Sequence, residues 1–230
     1  MRVAFIGPVG AGKTTQAQRL ARTLPHYNPR LSSGELVRAH IEAGTELGRR
    51  MRGCYDRGEA VPDEVLLPLI LPRIRRAGGW ILDNFPASVA QAEALDAELW
   101  GRQASDLSRV IALEGPTDEE LLERVLGGRV HSRATGLVYH LENDPPPRPE
   151  ENLDAGPFER REDDAEEAIR HQLGAHGRDY AALKEHYEAR GLLSTVDARR
   201  PIEEVADDVL EALGHPERPE FYALGSQGRG

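Results

Sequence analysis

The segment Gly7-Pro8-Val9-Gly10-Ala11-Gly12-Lys13-Thr14 fits the pattern G-x-x-x-x-G-K-S/T and directly follows the apolar run Val3-Ala4-Phe5-Ile6. An apolar strand that opens through such a loop into a helix constrains this chain more than any other feature. The glycines let the backbone curl until successive N–H groups point inward, and the helix N-terminus adds a favourable partial charge. The product is a cradle for phosphate. Lys13 is placed to hold the β- and γ-phosphates of a nucleoside triphosphate, with Thr14 or Thr15 near Mg²⁺. A turn that binds nothing needs one or two glycines, not three followed by Lys-Thr.

The rest of the chain repeats the alternation. Trp80-Ile81-Leu82 and Val110-Ile111-Ala112-Leu113 read as buried parallel strands, and Leu192-Leu193-Ser194-Thr195-Val196 does so less cleanly. Helical patterns cover 13–24, 34–43, 46–57, 63–76, 88–99 and 117–126. Ile169, Leu173, His176, Tyr180, Leu183 and Tyr187 form the stripe of a long amphipathic helix over 161–190, and Ile202 to Leu213 repeats it behind Pro201. The fold class expected is therefore α/β: a doubly wound parallel sheet with helices on both faces. Residues 127–160, with Pro145, Pro146, Pro147 and Pro149, break the pattern and read as an inserted lobe. The polar tail 215–230 reads as flexible.

Composition narrows the function. A formal net charge of −10 over 230 residues argues against non-specific binding to nucleic acid or anionic membrane, so any phosphate site is a local basic pocket. Cys54 is the single cysteine, which rules out an intramolecular disulfide and a multi-thiolate zinc site. With no apolar run near the ~20 residues of a membrane span and no leader-like start, a cytoplasmic protein is expected. Lysine occurs only at 13 and 184, so a lysine in the phosphate loop of an arginine-writing chain points to a need for a compact ammonium.

From the loop onward the chain resembles the adenylate kinase family of nucleoside monophosphate kinases, over residues 1–214. The resemblance runs through Gly12 to Gln18, Leu31-Ser32-Ser33-Gly34-Glu35-Leu36-Val37-Arg38, Gly58 to Asp63 and Ile81-Leu82-Asp83-Asn84-Phe85-Pro86. It continues in Arg124, Arg129-Val130-His131, Val138-Tyr139-His140, Arg161-Glu162-Asp163-Asp164 and Val196 to Pro201. It implies reversible phosphoryl transfer from Mg-ATP to AMP, giving two ADP. It also implies a monophosphate-binding insert at 32–61, a lid at 128–160 without zinc, and action as a monomer. On this resemblance Gly10, Ala11, Gly12, Lys13, Thr14, Thr15, Arg124, Tyr139 and Ala198 bind ATP. Ser33, Arg38, Glu59, Val61, Asp83, Gln91 and Arg161 bind AMP. Lys13, Arg38, Arg124 and Arg161 are the catalytic cations, and Thr14 and Asp83 serve Mg²⁺, Asp83 through water. Where some family members place zinc ligands in the lid, this chain has His131, Thr135 and Asn152.

Each charge also has an ordinary use. Arg38 suits a solvated helix face, and Arg124 suits an i, i+4 pair with Glu120. The family pattern is also incomplete, with Ala87, Gly128 and Gln172 standing where phosphate-binding arginines are expected. Either nearby cations (Arg129, Arg133, Arg160, Arg170 or His171) take over, or the chain binds nucleotide as a sensor with little transfer. A P-loop kinase for a non-nucleotide acceptor is a third reading.

Overall fold

The structure is a computed structural model that describes residues 1–23, 29–99, 107–147 and 156–215. Its strands are β1 (Arg2–Ile6), β2 (Arg30–Ser32), β3 (Trp80–Asp83), β4 (Arg109–Glu114), β5 (Arg129–Ser132), β6 (Val138–His140), β7 (Phe158–Glu159) and β8 (Leu193–Asp197). The helices are α1 (Lys13–Thr23), α2 (Ser33–Glu42), α3 (Glu46–Asp56), α4 (Asp63–Arg76), α5 (Val89–Leu99), α6 (Asp118–Gly128), α7 (Glu166–Glu188) and α8 (Ile202–Ala212).

Five strands make the expected parallel sheet, in the order β2-β3-β1-β4-β8. Because side chains alternate along a strand, the apolar runs feed both faces. Ala4, Ile6, Trp80, Leu82, Val110 and Ala112 meet Met51, Ile70, Leu95 and Tyr187 on one side. Val3, Phe5, Ile81, Ile111 and Leu113 meet Leu20, Leu122, Ile169 and Val209 on the other. Strands buried on both faces cannot alternate with polar residues, which is why these runs are wholly apolar. The carboxyl ends of β1, β3 and β4 then open on one edge of the sheet, where ligands of such folds bind.

Three elements depart from the sequence expectation. Strand β2 was not anticipated: Arg-Leu-Ser carries no apolar run, and it is extended because it pairs with β3, Ser32 opposite Asp83. The segment read as an inserted lobe carries a small antiparallel sheet, β6-β5-β7, with strands before and after the proline-rich stretch. The long helix starts at Glu166 rather than 161, because Arg161 to Asp164 turn back on themselves through Asp164 N–H to Arg161 O, 3.2 Å. Helix α4 persists as expected through Pro68 and Pro72. Asn152 and the tail beyond His215 lie outside the described residues. No helix among the described residues is long and apolar enough to cross a membrane.

Candidate active site

The loop between β1 and α1 takes its shape from its glycines. Gly7 and Gly10 have φ of +140° and +82°, and a Cβ on them would sit 2.5 Å from Leu113 O and 2.7 Å from Leu121 O. No side chain fits there, so the loop is held against β4 and α6 by the two residues that lack one. Lys13, at the start of α1 and 8 % exposed, donates to Gly7 O at 2.7 Å and Pro8 O at 2.6 Å. Burial pushes its ammonium from 10.5 down to about 8, against the attraction of Asp83. A cation held in so dry a place is poised to gain from an incoming anion.

Asp83 ends β3 and is 1 % exposed. Its Oδ2 accepts from Arg30 at 3.1 Å, and Arg30 also reaches Glu35 at 2.5 Å, while Asp83 Oδ1 has no protein partner. The partner Arg30 comes from the strand that the sequence pattern did not disclose. Beyond Asp83 the chain turns sharply at Asn84, whose φ is +59° and whose carbonyl accepts from Ser33 Oγ at 2.9 Å. That bond ties the start of α2 to the end of β3.

A cavity of about 790 Å³ lies over this edge, and it draws together every site residue expected from the sequence. Its lining includes Gly10, Ala11, Gly12, Lys13, Thr14, Thr15, Arg124, Tyr139 and Ala198. It also includes Ser33, Arg38, Glu59, Val61, Asp83, Gln91 and Arg161. Arg124 does not pair with Glu120, which instead closes a capping box with Thr117. It spans to Ala198 O at 2.8 Å. Tyr139 is buried edge-on to Phe158, with ring centres 5.5 Å apart. Gln91 is held at both ends of its amide, accepting from Ala87 N–H at 2.8 Å and donating to Asp63 at 2.6 Å. Glu59 is exposed and forks with Arg57, so its carboxylate is already neutralised.

Arg38 is not a solvated surface charge. It is 13 % exposed and lies 3.7 Å from Asp163. Burial, reinforced by the like charges of Arg38 and Arg129, pushes the Arg161 guanidinium down to about 9, and its Nε has no protein partner. His176 also lines the cavity. It stacks on Tyr180 at 4.3 Å, and burial and the Lys13 charge push it down to about 4, so it stays neutral at physiological pH. In the sequence it is one more member of the helix stripe, and nothing there separated it from the core.

The vacated positions have distinct causes. A Cβ on Gly128 would lie 3.2 Å from His140 Cε1 and 3.3 Å from Leu141, because the turn after β6 packs directly on the end of α6. Ala87 is exposed at the cavity mouth and Gln172 lines it. Of the cations near these places, Arg129 lines the cavity. Arg133 pairs with Glu159, Arg160 bonds Leu126 O, Arg170 pairs with Glu119 and Glu166, and His171 leans on Gly58 O, none of them at its wall.

A buried lysine and several arginines lining one cavity, in a protein of net charge −10, are built to receive polyphosphate, and with this sheet they define a P-loop phosphotransferase. A family model described as adenylate kinase matches residues 5–192. The adenylate kinase of Streptomyces coelicolor is 39 % identical over 217 residues, covering 93 % of this chain and 98 % of that one. Those of Acidothermus cellulolyticus and Geobacter sulfurreducens are 39 % and 38 % identical, covering 94 % and 93 % of this chain and 99 % and 98 % of theirs. The chain belongs to the adenylate kinase family and is a phosphotransferase of the nucleoside monophosphate kinase type.

Proposed function

We propose that the chain transfers the terminal phosphoryl group of Mg-ATP to AMP, reversibly, giving two ADP. The observation that carries this reading is that Lys13, Arg124, Arg38 and Arg161 all line one cavity. The attacking phosphate oxygen is already an anion, so no strong general base is required, and positioning with charge neutralisation supplies the catalysis. Lys13 holds the donor phosphates, Arg38 the acceptor phosphate, and Arg124 and Arg161 the charge that passes between them. Tyr139 and Ala198 border the donor base; Ser33, Glu59, Val61 and Gln91 border the acceptor base. Segments 32–61 and 128–160 act as the monophosphate-binding insert and the lid, and the chain works as a monomer.

Asp83 Oδ1, buried and unpartnered, fits a Mg²⁺-bound water, with Thr14 at the head of α1 as the second group. When bound, the ion would supply positive charge to the nucleotide phosphates, with Asp83 and Thr14 as the residues that would hold it. Among the described residues no group of three or more His, Cys, Asp or Glu is placed to hold a metal ion. A nucleotide-binding module without transfer is the weaker reading, because the relatives that match nearly end to end are named adenylate kinases. The test is ADP formation from ATP plus AMP in a coupled assay, with a chelator control. Turnover no faster than that of Lys13→Ala sinks the proposal.

A further inference from the structure

Seven lysine and arginine side chains line the cavity; Arg199 is paired with Asp197 and Arg200 with Glu204 and Asp208, which leaves five as candidates to meet the phosphoryl group in flight. Lys13 is on two loop carbonyls, Arg124 on Ala198 O, Arg38 beside Asp163, and Arg161 is half-buried with its Nε enclosed and unpartnered. The fifth, Arg129, opens β5 immediately after the side-chain-less Gly128. Its Nε donates to Asp164 Oδ2 at 3.0 Å and its Nη2 to Asp164 Oδ1, a fork on a carboxylate only 3 % exposed. Nη1 has no hydrogen-bond partner among the described residues.

A guanidinium presents two donor edges, and this one spends the Nε side on Asp164 while the Nη1/Nη2 end stays open. The side chain is 16 % exposed and lines the same cavity as Lys13 and Arg161. Its charge is felt at both: it is among the causes that lower the Lys13 ammonium and the Arg161 guanidinium. Arg129 thus shares the cavity wall with Lys13 and Arg161, with its orientation fixed by Asp164 before any ligand arrives. Fixing a donor in advance is what makes such a group effective at developing charge.

We propose that Arg129, held by Asp164, is a catalytic residue whose free Nη1/Nη2 edge contacts the transferring phosphoryl group, doing at the base of the lid what residue 128 has no side chain to do. Gly128 and Arg129 then form one solution: the turn at His140 and Leu141 takes the space over 128, and the next residue carries the charge. Asp164 is its positioning residue.

This rests on the phosphotransfer reading above, so the experiment separates the two. Wild type, R129A, R129K and D164N are compared in the coupled ATP-plus-AMP assay, by thermal unfolding, and by titration with a bisubstrate analogue in which two adenosines are joined by five phosphates. The expected result is a kcat roughly 100- to 1000-fold lower in R129A. KM for each nucleotide should stay within about threefold, and added guanidinium ion should restore part of the rate. D164N, which frees Arg129 without removing its charge, should lose about tenfold or less. R129A should weaken the bisubstrate analogue at least about thirtyfold while leaving AMP alone unchanged. If Arg129 only clamps the lid to the turn before α7, R129A and D164N lose the same rate and the same stability, and guanidinium rescues neither; that outcome overturns the proposal. Should R129A not fold, R129K decides: a rate within about threefold of wild type overturns it, since lysine keeps a pair with Asp164 but not two edges. A wild type without turnover would end the phosphotransfer reading alone, and the analogue titration would still judge Arg129.

Discussion

Lys13 makes the protein less stable in the absence of nucleotide, and the amount follows from its burial. Its ammonium lies at about 8 against the ordinary 10.5, so holding it charged costs roughly 3 kcal/mol at 1.36 kcal/mol per pH unit. Lys13→Met keeps the volume and removes the charge. The variant also abandons the bonds to Gly7 O and Pro8 O, at about 1 kcal/mol each. At pH 7 the nucleotide-free variant should therefore be more stable than wild type by about 1 kcal/mol, or roughly 2–4 °C for a chain of this size. The folded value lies below the unfolded one, so between pH 8 and 10.5 the unfolded chain binds more protons and wild-type stability rises with pH. By about pH 11 the penalty has gone, and the order reverses, with Lys13→Met the less stable by roughly 2 kcal/mol. Urea unfolding of both proteins across this range reads the difference directly, with all other titrations cancelling. ATP at a hundredfold excess over Kd should add about 2.7 kcal/mol to wild type and nothing to the variant. A stability difference between the two proteins that does not change with pH would refute the reasoning.

Other outcomes follow from single contacts. Gly128→Arg should not gain activity; its Cβ must push His140 and Leu141 aside, at about 1–3 kcal/mol by chemical unfolding. Ala87→Arg, exposed at the cavity mouth, has room, and a new charge-assisted bond should lower KM for AMP about tenfold while leaving KM for ATP unchanged. Asp83→Asn should cost about 2 kcal/mol through its weakened bond with Arg30. The same variant should raise the Mg²⁺ concentration needed for half-maximal turnover.

Much of the site was legible because its signals are local. Three glycines, a lysine and a threonine between an apolar strand and a helix can be read without knowing anything distant, and the wholly apolar runs announce a sheet covered on both faces. The same local logic placed α4, prolines included, and the stripe of α7. Acidic and basic residues were harder. Arg38 and Arg124 looked equally suited to solvent or to a helical pair, and only the packed structure shows Arg38 near Asp163 and Arg124 on Ala198 O.

What the sequence alone determined is the phosphate loop and the alternation of β1, β3, β4 and β8 with the helices, since these depend on backbone freedom and hydrophobic period over a few residues. Tertiary structure decided the rest through contacts between segments far apart in the chain. Arg30-Leu31-Ser32 is a strand because β3 lies beside it, and Arg30 matters because that pairing brings it to Asp83. The small sheet around β5 exists because Ser132 meets Phe158 across the proline-rich stretch. Which arginines face the cavity is settled the same way. Arg133, Arg160 and Arg170 are drawn off to Glu159, Leu126 O and Glu119, whereas Asp164, 35 residues further along, turns Arg129 inward. A long flexible cation has no preferred direction of its own; its partner supplies one, and no sequence period encodes a partner at that distance.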